Sequence, residues 1–301
     1  MTNNPLITGI GEALYDLLPV GPVLGGAPLN AIFQAHQIGL HLGGKAVMVS
    51  RIGEDELGKS LFKKIKEHGM DHTFIQQDPN ADTGTVSITL NRTEPEYEIT
   101  KNVAWDKLEW NESLSDLANR CNAVCFGTLG QRAEPAKSTI QKFIQTATQA
   151  NRLFDVNLRQ NYFSKDTLDT CFQFSSIVKM NEEELPIVST ILGLTKDKSP
   201  ILQIIDHYNL DLFVLTQGKL GTRIYSNEMI VEGMPVQFIP EGNADSIGAG
   251  DACSAAILHG TTRKWPLQKT ANLANQLGAY VASRSGATPN LPPEILSEWQ
   301  T

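Results

Sequence analysis

The chain has 301 residues, of which 41% are hydrophobic and 19% are charged. This length can bury a large core without disulfide support, and this composition excludes a fibrous or disordered protein. Lys and Arg number 25 against 33 Asp and Glu, which gives a formal net charge of −8. Because such a chain has no overall positive field, we expect neither nucleic acid nor a membrane surface as its partner.

The amino-terminal residues lack the pattern of a secretory signal, and no apolar run approaches the ~20 residues that span a bilayer. We therefore predict a cytoplasmic protein. The cysteines have neither the spacing of a metal site nor the density of a secreted scaffold, and we predict buried, reduced thiols. They are Cys121, Cys125, Cys171 and Cys253.

Strand and helix patterns alternate along most of the chain, which predicts an α/β fold with a mostly parallel sheet in a single domain, residues 1–301. Glycines are expected to stop the first two helices, at Gly39 and Gly69. Each predicted strand ends in polar or glycine residues, where open α/β sheets bind ligands. The predicted strands are 6–9, 46–50, 123–127, 153–157, 177–180 and 212–216, and the predicted helices are 28–37, 56–68, 134–149, 165–174 and 200–208.

One region breaks this alternation. Residues 83–91 and 97–102 alternate with a period of two, and the short segment between them contains Pro95, so they predict an antiparallel hairpin. Residues from about 11–25 could supply the other strands of a small β lid, whose hairpin part covers about 83–103. An ordinary edge hairpin is the alternative.

The predicted lid carries exposed apolar side chains, such as those of Val86, Ile88 and Ile99, on strands with unpaired edges. Exposed strand edges of this kind are usually covered by another chain. We therefore predict a homodimer joined through the lids.

The most informative stretch is NADSIGAGD, residues 243–251, which precedes a good helix pattern. Gly248, Ala249 and Gly250 leave backbone N–H groups able to surround an anion at a helix N-terminus. A carboxylate beside phosphate is repelled unless it takes a proton from the group that attacks the phosphate, so Asp251 is predicted to be a general base. A simple helix cap is the alternative for this residue.

A second glycine-rich helix entrance is GGAPLN, residues 25–30. Gly25 and Gly26 again expose backbone, and Asn30 offers a donor and acceptors suited to hydroxyl groups. Upstream, Asp16 in GEALYD is a carboxylate among apolar residues that could accept two sugar hydroxyls. For the glycine-rich segment alone, the alternative is a plain turn. For Asp16 alone, the alternative is an exposed strand residue.

Together these motifs resemble those of the ribokinase-like (PfkB) family of carbohydrate kinases, over essentially the whole chain. The resemblance implies a three-layer α/β/α sandwich that transfers the γ-phosphoryl group of ATP, bound with Mg²⁺, to a sugar. The implied catalytic residues are the base Asp251 and the anion-hole positions Gly248, Ala249 and Gly250, and the implied sugar-binding residues are Asp16, Gly25, Gly26 and Asn30.

The resemblance extends to the nucleotide site. KMNEEE looks like the family's asparagine-and-glutamate motif beside the phosphates and magnesium, and TQGKLG looks like its strand-end turn. Without the family, the first segment would be an acidic helix N-terminus and the second a hairpin. Asn275 falls where the family lines the adenine pocket, with a polar residue on a partly exposed helix as the alternative. The implied nucleotide-binding residues are Asn181, Glu184, Thr216, Gly218, Gly221 and Asn275.

The family also implies a monovalent-cation loop for K⁺, formed mostly by backbone carbonyl groups. Two positions depart from the family's pattern: Ser246 stands where threonine is commoner, and Asn290 stands where some relatives have serine. The aligned positions are Asp245, Ile247, Val281, Arg284, Gly286 and Asn290.

GEALYD, GGAP and DVNLR look more like the fructokinase and 2-keto-3-deoxygluconate kinase branch than ribokinase or adenosine kinase. Arg159, just beyond a strand end, is expected to contact phosphate or substrate, with a surface arginine as the alternative. A second phosphate on the sugar would require several cations, and the hairpin offers Arg92 and Lys101 among acids. Fructose is therefore the expected substrate, followed by 2-keto-3-deoxygluconate or another unphosphorylated sugar.

Two other classes of protein share parts of this pattern. A dinucleotide-dependent oxidoreductase would show the same α/β alternation, but ITGIGEAL lacks the third glycine of G-x-G-x-x-G after the first strand. A catalytically silent sugar-binding or regulatory protein would share the fold, but the presence of Asp251 within a complete GAGD argues against it.

Overall fold

The computed structural model describes residues 4–19, 21–90 and 95–300. Within these ranges no helix is long and apolar enough to cross a membrane. The strands are β1 (Leu6–Ile10), β2 (Leu14–Leu18), β3 (Gly21–Gly25), β4 (Lys45–Gly53), β5 (Ile75–Asp78), β6 (Gly84–Leu90), β7 (Pro95–Ile99), β8 (Ala123–Gly127), β9 (Asn151–Asp155), β10 (Ile177–Asn181), β11 (Leu212–Thr216), β12 (Thr222–Tyr225) and β13 (Ile230–Glu232). The helices are α1 (Ala27–Leu42), α2 (Glu56–Glu67), α3 (Glu112–Arg120), α4 (Ala136–Thr146), α5 (Lys165–Gln173), α6 (Glu184–Leu192), α7 (Pro200–Tyr208), α8 (Ala249–Thr262), α9 (Leu267–Ala282) and α10 (Pro293–Ser297).

The central sheet of the described residues has nine strands, in the order β13-β12-β11-β10-β9-β8-β1-β4-β5. All neighbouring pairs from β5 to β11 are parallel, and β12 and β13 add an antiparallel edge. Because parallel strands end at the same edge, the residues that follow β1, β8, β9, β10 and β11 come together there.

Helices cover both faces of this sheet because its strands are apolar on both sides. In β8, for example, Ala123 and Cys125 belong to the core on one face, while Val124 and Phe126 belong to the core on the other. The helices α1, α8 and α9 pack on the first face, and α4, α5 and α7 pack on the second. The predicted α/β/α sandwich is confirmed, and all four cysteines are free and buried, as predicted.

A smaller four-stranded sheet has the order β3-β2-β6-β7. β6 and β7 form the predicted antiparallel hairpin, and β2 lies between β6 and β3. The sheet packs on Trp105, which is 1% exposed and which a Cβ on Gly84 would strike. The small sheet is therefore anchored to the α/β body by an aromatic side chain.

The prediction that Val86 and Ile99 are exposed was wrong. Both are buried, in one cluster with Trp105. The face of the hairpin that carries these two side chains packs against the α/β body and is shielded from solvent. The side chain of Ile88 and the whole of Arg92 lie outside the described residues.

Several predicted element ends also differ. α1 continues through Gly39 to Leu42, with Gly43 as its C-cap, because packing along a buried helix outweighs the low helix propensity of one glycine. β9 ends at Asp155 and not at Asn157, since Asn157 adopts a left-handed φ of 41°. α4 starts only after Pro135, which is its N-cap residue.

Candidate active site

The amino-terminal ends of α1 and α8 meet at the carboxyl edge of the central sheet. Asn30, in the first turn of α1, donates from Nδ2 to Oδ2 of Asp251, in the first turn of α8, at 2.9 Å. The fold thus joins the two glycine-rich motifs in one site. The N-cap of α8 is Gly248 and not Asp251, so the helix-cap alternative for Asp251 is wrong.

The surroundings of Asp251 raise its pKa to about 6. Desolvation is the largest cause, and the negative charge of Asp155 adds to it. The hydrogen bond from Asn30 and the positive charges of Lys179 and Arg159 lower the pKa of this carboxyl. A group with this pKa is ionised at neutral pH and can still accept a proton from a reacting hydroxyl.

A buried ion pair lies close to this carboxylate. Lys179 Nζ is 2.6 Å from Asp155 Oδ2, and the same oxygen accepts from the hydroxyl of Ser254 at 2.9 Å. Desolvation alone would lower the pKa of Lys179, but the charge of Asp155 raises it above its usual value. A Cβ on Gly250 would lie 3.7 Å from Lys179 Nζ, so a permanent cation sits beside the glycine turn.

The turn before α8 requires glycine at its first position. Gly248 has a φ of 77°, and a Cβ there would lie 2.5 Å from the Cβ of Ala287. The N–H of Ala249 donates to the carbonyl of Ser246 at 3.3 Å, whereas the N–H of Gly250 has no acceptor within the helix. This turn therefore presents bare backbone and the positive end of the α8 dipole to an anion.

Oxygen atoms suited to hydroxyl groups line the start of α1. A Cβ on Gly25 would lie 2.5 Å from Oδ2 of Asp16, and a Cβ on Gly26 would lie 2.5 Å from the carbonyl oxygen of Glu12. Asp16 is partly buried, and desolvation raises its pKa. In the described part of the chain, Oδ1 of Asn30 is buried and has no hydrogen-bond partner. These unpaired acceptors suit the hydroxyl groups of a sugar.

Arg159 lies in the turn after β9. Two non-glycine neighbours with left-handed backbone flank it, Asn157 with φ 41° and Gln160 with φ 48°. Such strained positions cluster at functional sites. The guanidinium is exposed, and its positive charge lowers the pKa of Asp16 and of Asp251. Arg159 is thus within electrostatic reach of both carboxylates.

Asn181 and Glu184 bond to each other's backbone at the start of α6. Asn181 Oδ1 accepts from the N–H of Glu184 at 2.8 Å, and Glu184 Oε2 accepts from the N–H of Asn181 at 2.9 Å. The other carboxylate oxygen of Glu184 accepts from the N–H of Leu158 at 2.8 Å. Glu184 therefore holds the turn that carries Arg159, in addition to the start of its own helix.

The segment from Thr216 to Gly221 connects β11 and β12 in the hairpin that its pattern predicts. The N–H of Gln217 donates to the carbonyl of Gly221 at 2.8 Å. Gly218 and Gly221 have positive φ values of 52° and 91°. The polypeptide therefore turns back sharply next to the carboxyl end of β11.

Asn275 lies behind this hairpin and is 7% exposed, on the partly exposed helix α9. A Cβ on Gly221 or on Gly233 would collide with its amide group. Its Nδ2 donates to the carbonyl of Met234 at 3.1 Å, and its Oδ1 is buried with no partner among the described residues. The two glycines thus leave room for the Asn275 amide itself, and its contact with an adenine base stays a prediction.

Asp245 joins the two segments of the predicted cation loop. Its Oδ1 accepts from the N–H of Ile247, and its Oδ2 accepts from the N–H of Gly286, each at 3.0 Å. Its own N–H donates to the carbonyl of Arg284 at 3.1 Å. The carboxylate thus fixes the loop that leads into α8.

The carbonyls of Val281 and Asn290 also accept hydrogen bonds, from the N–H of Arg284 and the hydroxyl of Tyr280. In the described ranges, no group of three or more His, Cys, Asp or Glu side chains could hold a metal ion. A monovalent cation at this loop would therefore rely on second lone pairs of backbone carbonyls, and the K⁺ site stays a prediction.

Four buried polar residues of this site have no role in the sequence-based predictions: Glu12, Asp155, Lys179 and Ser254, each at most 5% exposed. Glu12, Asp155 and Lys179 stand in motifs at strand ends, which is the only signal that the sequence offers. Their importance follows from burial and from pairing across 24 or more residues, which no local pattern shows.

Comparison with known proteins agrees with this geometry. The probable fructokinase-6, chloroplastic, of Arabidopsis thaliana is 28% identical, over 96% of this chain and 80% of the relative. The uncharacterized sugar kinase PH1459 from Pyrococcus horikoshii in complex with ATP has a TM-score of 0.77 and 25% identity over 94% of both chains. The fructokinase from Vibrio cholerae O395, in a form with fructose, ADP and calcium ion bound, has a TM-score of 0.78 and 23% identity over 99% of both chains.

The fold and the match to a family model together define a carbohydrate kinase. The family model for pfkB family carbohydrate kinases matches residues 20–294. The chain belongs to the PfkB family of carbohydrate kinases, so the resemblance seen in its motifs is confirmed.

Proposed function

We propose that this kinase phosphorylates a primary hydroxyl group of fructose, with Asp251 as the general base. The observation that carries this proposal is the hydrogen bond from Asn30 to Asp251. It sets the carboxylate between the hydroxyl-binding start of α1 and the anion-binding turn of α8. The fructokinase names of the Arabidopsis relative and the Vibrio structural neighbour support fructose as the acceptor.

In the proposed reaction, Asp16, Gly26 and Asn30 orient the sugar so that one hydroxyl faces Asp251. The O–H bond breaks and its proton passes to the Asp251 carboxylate. The sugar oxygen forms a bond to the γ-phosphorus as the bond from that phosphorus to the ADP oxygen breaks. The amides of Gly248–Gly250, backed by the charge of Lys179, stabilise the negative charge on the transferred group.

Magnesium bound to the nucleotide phosphates would neutralise further charge in this reaction. The residues fit a hydrated Mg²⁺ rather than a directly bound one. Each carboxylate oxygen of Glu184 already accepts one backbone N–H, which leaves a lone pair for a water of the ion. Asn181 and Glu184 would therefore orient the hydrated ion beside the phosphates, while Thr216, Gly218, Gly221 and Asn275 hold the nucleotide.

We propose 2-keto-3-deoxygluconate as the second candidate substrate, because one observation favours it. The positive charge of the exposed Arg159 guanidinium lowers the pKa of Asp16 and of Asp251. A cation at this end of the site suits a substrate that carries a carboxylate. A phosphosugar is disfavoured, since the other nearby cation, Lys179, is already paired with Asp155.

A sugar panel tests this proposal. ADP release from Mg·ATP is measured with fructose, 2-keto-3-deoxygluconate, ribose, adenosine and fructose phosphates. We expect turnover to be highest with fructose. Highest turnover with 2-keto-3-deoxygluconate would select the second candidate, and an absence of sugar-stimulated turnover with the whole panel would favour a non-catalytic sugar-binding protein.

A further inference from the structure

Glu12 occupies a junction of three segments around the candidate sugar site. It follows β1 directly and is 2% exposed. Its carbonyl oxygen lies against Gly26 at the start of α1. Its Oε2 would be 3.2 Å from a Cβ on Gly130, in the turn after β8. The side chain therefore lies between the end of β1, the start of α1 and the turn after β8.

The carboxyl group of Glu12 is unusual because it is buried without a salt bridge among the described residues, and its Oε2 has no hydrogen-bond partner there. A buried polar group without a partner costs free energy, so its presence calls for an explanation. Backbone N–H groups of Glu12 itself and of Ala27 favour its charged form. Ala27 is the first residue of α1, and the N-cap of that helix, Gly26, has no side chain to cap it.

We propose that Glu12 is a positioning residue of the sugar site: its carboxylate holds the start of α1 and thereby sets Asn30 against Asp251. This inference rests on the proposed function for its kinetic consequences. Negative charge at a helix N-terminus is favourable, and Glu12 supplies it where the glycine N-cap cannot. Asn30 follows Ala27 within the same turn, so a shift at the start of α1 moves the Asn30 amide directly.

The ionisation of Glu12 should then affect sugar binding. Desolvation raises its pKa to about 7, and the negative charge of Asp251 on α8 adds to the increase. The charge of Arg159, in the turn after β9, opposes it, and Cys125 on β8 also lies within electrostatic reach. Protonation below about pH 7 removes the charge that holds α1, so the KM for the sugar is expected to rise as the pH falls through this value.

The kinetic test compares wild type, Glu12→Ala and Glu12→Gln. We expect Glu12→Ala to raise the KM for fructose about tenfold or more while the KM for ATP changes less than about twofold. Glu12→Gln should raise the fructose KM less and abolish its pH dependence near pH 7. Asp78→Asn removes another buried carboxylate, paired with Arg51 at the sheet edge, and should leave both KM values unchanged.

Equal rises in both KM values, or no rise in either, would overturn the proposal. If Glu12→Ala fails to fold, Glu12→Gln decides, because persistence of the wild-type pH dependence would also overturn it. Hydrogen exchange of the backbone amides of Gly26, Ala27, Leu29 and Asn30 gives a readout that needs no turnover. Faster exchange in Glu12→Gln is expected, and unchanged exchange would contradict the inference even if no sugar on the panel proved to be a substrate.

Discussion

Asp251 owes its expected reactivity to its surroundings as much as to its residue type. Burial and the charge of Asp155 raise its pKa to about 6, and the base must be ionised to accept a proton. We therefore expect kcat at saturating substrates to rise about tenfold per pH unit below about pH 6 and to level off above it. Steady-state rates from about pH 5 to about pH 8 check this, and a flat profile below pH 6 would contradict the assigned base.

Single residues divide into those that the sequence can find and those that it cannot. Asn30 and Asp251 stand in short glycine-rich motifs whose chemistry is local, so their residue types and spacing suffice to select them. Glu12 and Lys179 stand in equally visible motifs, but their importance depends on burial and, for Lys179, on a partner 24 residues away in the sequence. Those properties exist only after the chain has folded.

At the level of elements, the Lys179–Asp155 pair joins β10 to β9 beneath the start of α8. Lys179→Met would leave a buried carboxylate without its cation, and we expect a loss of about 3–5 kcal/mol in the free energy of unfolding. Arg223→Met is the matched control, because its pair with Glu232 is exposed and contributes at most about 1 kcal/mol. Urea denaturation measures both, and equal losses would contradict the structural role of the buried pair.

Gly233, which packs against Asn275 beside the predicted adenine site, gives a second test. A Cβ on Gly233 would lie 2.5 Å from the carbonyl oxygen of Ala271 and close to the amide of Asn275. We expect Gly233→Ala to raise the KM for ATP about tenfold with little change in the KM for the sugar. Gly242→Ala, where a Cβ meets nothing within 4 Å, should change neither value. An ATP KM within about twofold of wild type in Gly233→Ala would contradict this placement of the nucleotide.

Element prediction succeeded where a strand is buried on both faces. The strands at residues 123–127 and 212–216 and the helix at 200–208 match the structure to the residue, because continuous apolar runs and proline or glycine mark their ends. The end of α1 was misplaced because Gly39 lies within a long buried helix. The prediction that the apolar face of the small sheet is exposed was wrong as well. Alternation shows that a strand has two different faces, but it does not show which face is covered.

At the scale of the molecule, the small sheet both carries Asp16 and approaches the turn after α9. A Cβ on Gly286 would lie 3.7 Å from Cγ1 of Val23, on β3. We propose that this sheet acts as the lid of the sugar site and excludes water from the reaction. Its apolar hairpin face packs on Trp105, so a dimer would have to use the strand edges or the opposite face. Leu17, on the interior strand β2, is 37% exposed.

We predict that the chain forms a homodimer through this sheet, because the outer edges of its strands β3 and β7 are unpaired within the described residues. Sedimentation velocity over a range of concentrations should show a species of twice the 33.0 kDa chain mass. Leu17→Lys should shift this equilibrium toward the monomer. A single monomeric species at every concentration would contradict the prediction.

The most direct test of the central claim, that Asp251 takes the proton from the sugar, is single-turnover product formation by wild type and Asp251→Asn with saturating Mg·ATP and fructose. Asparagine keeps the size of the side chain and can still accept from Asn30, but it cannot take the proton. We predict a rate about 10²–10⁴ times lower in the variant. A rate within about tenfold of wild type would contradict the role of Asp251 as the base.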